Sequence, residues 1–254
     1  MPPPRIYKTA ALVLSRFELG EADRVLTLLT PYEGRIKAIA KGVRRPKSRL
    51  GGSLEPFAEL DLVLAHGRTF DVVTQVSVRH AWLALRDRLE STATAWYLSE
   101  LVERSTEERA PAPRLYDLLV RGFELLDRGL APARVARWFE FRLLDELGLA
   151  PEVDRCVECD RRLEPGERYR WVPALGGLLC SQHPGPPAEV AGLTEDALRL
   201  LKAYRRRDAD EVASLAVPAA VEAEAESALR LFVRQVLERE ARSLAFLDEV
   251  RGRG

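Results

Sequence analysis

The hydrophobic period of the chain changes at His80, and that change limits the fold more than any other feature. From position 8 to about position 80 the apolar residues fall in short runs and alternations typical of strands: KTAALVLSR, RVLTLLT, RIKAIAKGV, FAELDLVLAH and TFDVVTQVSV. Between them ELGEAD, PYEG and RRPKSRLGGSLEP supply the Gly, Pro and charged residues that turns favour. Five strands in about 75 residues, with no helical period, predict a small closed barrel rather than a parallel sheet, and a five-stranded OB-type barrel fits.

After His80 the spacing becomes three and four. Trp82, Leu85, Leu89, Ala93 and Trp96 form one stripe, Leu115, Leu118, Leu119, Phe123 and Leu126 a second, and Val135, Trp138, Phe139, Leu143, Leu144 and Leu147 a third that Gly148 closes. LTEDALRLLKAYRRRD resumes the helical pattern with Thr194 as N-cap and two acids in the first turn. Pro218 opens a long final helix whose face runs from Val221 to Leu247. A chain of 254 residues exceeds a comfortable single core. The expected fold class is therefore α+β multidomain: an OB-type barrel over residues 1–80, an α-helical domain over 81–150 and 190–254, and a zinc-binding insertion over 151–189.

That insertion rests on CVECDRRLEPGERYRWVPALGGLLCSQH, residues 156–183. Structural zinc takes four borderline ligands at tetrahedral corners, and a two-residue spacer lets both members of a pair reach one ion. Cys156 with Cys159 is one such pair, and Cys180 with His183 is the other. All three cysteines of the chain lie here, which leaves none for a disulfide framework or a separate thiol nucleophile. The 20 residues between the pairs suit a small hairpin, with a Pro-Gly turn, a strand at RYRWV and a Gly-Gly turn. Asp160 follows the first pair, where such turns often carry Gly. Four protein ligands imply one closed, structural zinc ion. No His-x-Glu segment of a zinc deaminase exists, and no nucleophile and base set stands out, so the chain reads as non-enzymatic.

The formal charge is zero, with 39 basic and 39 acidic residues. Residues 1–80, however, hold 13 basic against 8 acidic residues, leaving the remainder at about −5. RIKAIAKGVRRPKSR concentrates that excess in Arg35, Lys37, Lys41, Arg44, Arg45, Lys47 and Arg49 without one acid. Alternation would point Ile36, Ala38 and Ala40 inward and Arg35, Lys37, Ile39 and Lys41 outward, followed by a loop, Gly42 to Gly52, that is mobile by composition. With 34 Arg and only 5 Lys in the chain, lysine is the sharper marker, and four of the five lie at positions 8, 37, 41 and 47. Such a surface suits a phosphate backbone, and OB-type barrels often bind single strands. The aromatic residues read as packing, and Gly51-Gly52 lacks the partners of a phosphate loop. No apolar run reaches the roughly 18 residues of a membrane span, and MPPPRIYKT lacks the apolar core of a secretory signal, so a cytoplasmic protein is expected.

GEADRVLTLLTPYEGRIKAIAKGVRRPKSRLGGSLEPFAELDLVL resembles the amino-terminal signature of the RecO family of bacterial DNA-repair proteins, and RSLAFLDEV resembles that family's carboxy-terminal end. The order of barrel, helices and zinc segment fits over essentially the whole chain. The resemblance implies a nucleoid-associated recombination mediator. Such a protein binds single- and double-stranded DNA, anneals strands, and helps load the RecA recombinase onto DNA coated by single-strand-binding protein, acting with RecR. It places the DNA surface at Arg35 to Arg49 and the zinc at Cys156, Cys159, Cys180 and His183. Two other readings stay open on the residues alone: a protein adaptor without direct DNA contact, and a zinc hydrolase.

Overall fold

The computed structural model describes residues 6–45, 48, 52–166, 168–183, 191–237 and 242–252. Five strands, β1 (Ile6–Leu19), β2 (Asp23–Thr30), β3 (Gly34–Ala40), β4 (Glu59–Ala65) and β5 (Asp71–His80), close into a barrel of order β1-β2-β3-β5-β4. β1 serves two neighbours: Ile6 to Leu12 pair with β4, and Leu12 to Leu19 pair with β2. A register shift between Val13 and Ser15 bends it where it passes from one to the other. Closure is a short parallel contact of Ala38 with Asp71 and Ile39 with Val72. This is the expected five-stranded OB-type barrel, filled by Ala11, Val13, Leu26, Leu28, Ile36, Ala38, Leu60, Leu62 and Leu64.

The helices are α1 (Leu83–Arg86), α2 (Leu89–Ser105), α3 (Pro113–Asp127), α4 (Pro132–Glu146), α5 (Glu195–Arg206), α6 (Ala209–Ala213), α7 (Ala219–Val236) and α8 (Arg242–Gly252). A second sheet of order β7-β6-β8 joins β6 (Tyr169–Val172), β7 (Gly177–Leu179) and β8 (Ala191–Leu193). The chain parts into two compact units, residues 1–129 with 242–254, and residues 130–241. Helices α1, α2, α3 and α8 thus accompany the barrel, whereas α4 to α7 accompany the second sheet.

In the first unit the barrel is not a free-standing body. Leu12, Leu14, Val25 and Leu29 alternate with the interior residues, yet each is at most 1% exposed. Helix α2 packs on β1 and α3 on β2, so these strands are buried on both faces. Phe57, before β4, joins the same layer edge-on to Trp96 at 4.8 Å and to Phe123 at 5.5 Å. The link between α2 and α3 grips the barrel too. Arg109 donates its backbone N–H to the Arg35 carbonyl at 3.0 Å and its guanidinium to Asp71 at 2.9 Å. Asp71 is fully buried and also accepts from the Tyr7 hydroxyl at 2.6 Å. A Cβ on Gly34 would lie 1.9 Å from the Ala110 carbonyl oxygen, and its φ is +62°, so this close approach requires glycine.

Two helical expectations change. The stripe from Trp82 to Trp96 is α1 and α2, separated at Asp87 and Arg88. The long final helix is α7, which Leu237 caps, and α8, which packs on α2 in the other unit. In α8 Leu247 is fully buried, and Ser243 donates its backbone N–H to Glu100 at 2.7 Å.

In the second unit Gly148 ends α4 with φ +70°, and the Leu149 N–H closes back on the Leu144 carbonyl at 2.8 Å. Thr194 caps α5 by accepting from Ala197 N–H at 3.3 Å. Trp171 of β6 is fully buried, donates its indole N–H to the Ala228 carbonyl at 2.9 Å and lies against Phe232, fastening the small sheet to α7.

Candidate metal centre and nucleic-acid interface

The four candidate ligands come from two turns that their own backbone bonds define. Asp160 N–H returns to the Cys156 carbonyl at 2.9 Å, and Cys156 N–H reaches the Arg161 carbonyl at 2.9 Å. This turn places Asp160 at φ +57°, the conformation for which glycine is usual, and Asp tolerates it better than most residues. In the second turn His183 N–H returns to the Cys180 carbonyl at 3.1 Å. The Arg170 guanidinium donates to three carbonyls there, those of Cys180 at 3.1 Å, Ser181 at 3.3 Å and His183 at 3.0 Å. The turns are joined through β7, because Val157 N–H donates to the Leu178 carbonyl at 2.9 Å.

These constraints bring the Sγ atoms of Cys156, Cys159 and Cys180 and the His183 ring nitrogen within 4.8 Å of one another. His183 Nδ1 lies 3.2 Å from Cys180 Sγ and 3.7 Å from Cys156 Sγ. A tetrahedral zinc with ordinary bond lengths has ligand edges of about 3.6 to 3.8 Å, so the set fits one ion. Cys156 and Cys180 are buried, His183 is half-buried and Cys159 faces solvent. Burial pushes the Cys180 thiol up, but hydrogen bonds from His183 and Arg161 outweigh it and bring its pKa down to about 6. Its thiolate holds the His183 imidazole above its ordinary value. A low thiol pKa favours the thiolate that a metal needs. The cluster can hold a metal ion, and its soft donors suit zinc.

Sequence reasoning found the four donors and missed their supports. Arg170 and Trp171, adjacent in RYRWV, face opposite sides of β6, one gripping the ligand turn and the other anchoring α7. The signal was present as the alternation of a charged and a large apolar residue in a short strand.

The basic stretch lies in the first unit. Along β3 the expected alternation is observed: Ile36, Ala38 and Ala40 are buried, Arg35 and Ile39 are half-buried, and Lys37 is exposed. Lys41, Arg44 and Arg45 follow at the surface. Arg35 is already engaged, donating to the Thr106 carbonyl at 3.2 Å with Glu103 at 4.0 Å. Arg44 pairs with Glu18 at 3.0 Å. Lys37, Lys41 and Arg45 make no ion pair among the described residues. Lys47 and Arg49 lie outside the described residues. The loop expected to be mobile from Gly42 is held at its start, where Gly42 N–H donates to Asp23 Oδ1 at 2.7 Å and Arg44 N–H to the Ala22 carbonyl at 3.0 Å. These bonds tie the end of the basic strand to the turn between β1 and β2.

Among the described residues no helix is long and apolar enough to cross a membrane. The chain matches the family described as Recombination protein O, N terminal, over residues 4–82, and Recombination protein O, C terminal, over residues 86–245. It is 38% identical over 247 residues to the DNA repair protein RecO of Roseiflexus sp. strain RS-1, covering 97% of this chain and 87% of that one. It is 32% identical over 255 residues to the DNA repair protein RecO of Dehalococcoides mccartyi strain CBDB1, with 99% and 98% covered. The corresponding protein of Anaeromyxobacter sp. strain Fw109-5 is 36% identical over 247 residues, with 96% of each chain covered. Both domains match in order and almost end to end, and the chain belongs to the RecO family of DNA-repair proteins.

Proposed function

We propose that this protein is a DNA-binding recombination mediator that makes and breaks no covalent bond. It binds single and double strands, anneals complementary single strands, and helps load the RecA recombinase onto DNA coated by single-strand-binding protein. RecR and single-strand-binding protein are its partners, and the nucleoid-containing cytoplasm is its place. The observation that carries the reading is the exposed row of Lys37, Lys41 and Arg45 on an OB-type barrel in a family of repair proteins. A row of cations without acids neutralises phosphates, releases counterions and makes affinity fall with salt. Neutralisation is also what annealing requires, since two polyanions must approach each other. Arg35, Arg44, Lys47 and Arg49 complete the proposed surface.

One zinc ion at Cys156, Cys159, Cys180 and His183 would hold the second unit together. With four protein donors it would leave no position for a reactive water, so its part is structural.

The test is a salt titration of oligonucleotide binding with Lys37, Lys41 and Arg45 replaced by Ala. These side chains are chosen because Arg35 and Arg44 also hold the fold. Loss of three phosphate contacts flattens the slope of log K against log salt by up to about 2.7 on duplex DNA. An unchanged affinity and slope in the folded variant would reject the barrel surface. Capture of RecR by a wild-type protein that binds no DNA at low salt would favour the adaptor reading instead.

A further inference from the structure

A second concentration of positive charge stands at the end of α5, in the unit that carries the metal ligands. Lys202 Nζ lies 3.1 Å from Asp154 Oδ1, while Arg205 and Arg206 approach Asp154 Oδ2 at 3.4 and 2.9 Å. Arg142 of α4 reaches the same helix end, donating to the Arg205 carbonyl at 2.9 Å. Three cations on one carboxylate leave an excess of two charges, before Arg142 and Glu152, which accepts from the Asp154 N–H at 2.6 Å, are counted. Asp208, the next acid along the chain, points its carboxylate at the start of α6, where it accepts from Glu211 N–H at 2.8 Å. On the barrel Glu18 is shared by two cations, Arg44 and Arg24, each at 3.0 Å, one fewer than gather on Asp154.

Two arginines in a last turn would suit the helix dipole alone. Neither Lys202, a full turn earlier, nor a single carboxylate shared by all three follows from that dipole. Lys202 is also the one lysine of this chain beyond position 47. Lys202 and Arg206 are one helical turn apart, about 6 Å along the axis, a step on the order of that between successive phosphates of a strand. The Arg206 side chain is 59% exposed and that of Arg205 37%, so both can be reached from solvent.

We infer that the end of α5, with Lys202, Arg205 and Arg206 gathered on Asp154, is a second contact for the phosphate backbone of nucleic acid. Asp154 stands where a phosphate oxygen would sit, and an incoming phosphate shares or displaces it. A polyphosphate suits this surface better than an acidic protein segment. The exposed neighbours Arg155 and Arg207 are charged, and Lys202, Arg205 and Arg206 stand outside the apolar groove that Arg207 lines with Leu200, Leu215 and Val217. The three cations thus lack the apolar anchor that protein partners generally need and a phosphate backbone does not. The inference rests on the DNA-binding reading above and assigns it a further site.

The experiment is a salt titration of oligonucleotide binding by the full-length protein, its Lys202→Ala/Arg206→Ala and Asp154→Asn variants, and the barrel variant, with circular dichroism to confirm folding. Loss of two contacts should lower the salt slope by about 1.8, which removes about twelvefold of the affinity change between 50 and 200 mM salt. Asp154→Asn should strengthen binding at 50 mM salt, because it frees three cations without removing any. Should the double variant fail to fold, Arg206→Ala alone, at an exposed position, is expected to lower the slope by about 0.9. If the barrel variant binds more weakly while folded α5 variants keep the wild-type slope, the α5 site is overturned and the DNA-binding reading stands. If the wild-type protein binds no oligonucleotide at 50 mM salt, both fall. Loss of binding to a labelled poly-aspartate peptide by the α5 variants, with their oligonucleotide slope unchanged, would make an acidic protein segment the occupant and overturn the inference as stated.

Discussion

Stripping the proposed zinc from Cys156, Cys159, Cys180 and His183 should unfold the unit of residues 130–241 and spare the barrel unit. The ligand turns are separated by 20 residues, and the sheet they belong to has one strand of four residues and one of three between the turns and a second of three after them. So small a sheet has little stability of its own. Treated only as a cross-link over that loop, the metal restricts the unfolded chain by about 3 kcal/mol. The apparent binding free energy of a structural zinc is larger, on the order of 10 kcal/mol or more. A unit of this size is stable by about 5 to 15 kcal/mol, so the lower figure is a large share of the total and the upper one can exceed it. Even 3 kcal/mol lowers a melting temperature by about 10 °C or more in a unit of about 100 residues. Calorimetry should therefore show two transitions in the metal-loaded protein. After chelation the transition of the second unit should move down or vanish, with Trp171 losing its buried environment. Cys156→Ser should reproduce the effect without chelator. A protein shown by metal analysis to be empty, yet keeping both transitions where the loaded protein has them, would refute a structural metal.

Asp71→Ala removes the buried partner of Arg109 and Tyr7 and should cost about 3 kcal/mol of barrel-unit stability in urea melts. Burial pushes the Asp71 carboxyl up, but hydrogen bonds from Tyr7 and Arg109 prevail and hold it below its ordinary value of 3.8. Its stabilisation is therefore complete above about pH 4 and lost as pH falls through the lower folded value, so wild type and variant should converge in stability in strong acid. Phe57→Ala should destabilise the same unit by about 3 to 5 kcal/mol. Phe57→Gly should be no worse than Phe57→Ala, because φ at this position is +70°, and a clearly less stable glycine variant would show that the backbone there carries no strain.

Much of this was legible in the chain. The alternation of β3, the two ligand pairs, the Thr194 cap and the Gly148 terminus are local signals, and each is found where its residues place it. Asp160 at a glycine-like position looked like a departure from the zinc pattern. The structure shows the same left-handed turn, adopted by a residue that tolerates it. What stayed hidden depends on partners far along the chain. In RVLTLLT the apolar residues fall on both faces, and β2 is buried on both by barrel and helix. Such a run tells of double burial without naming the second layer. The end of α7 carries neither Pro nor Gly near Leu237, so nothing local announces a stop. The α5 cluster was invisible for the same reason, since Asp154 and Arg206 are 52 residues apart.

Helix α8 has a consequence for how the protein is made. Its residues lie beyond the whole second unit in the sequence yet pack on α2, between the barrel and α3 in chain order. A ribosome synthesising this chain exposes the α2 surface long before residues 242–252 exist to cover it. The barrel unit thus cannot be finished as it emerges, and for the length of the intervening 112 residues, 130 to 241, it must wait without the helix that buries Leu247 and bonds Ser243 to Glu100.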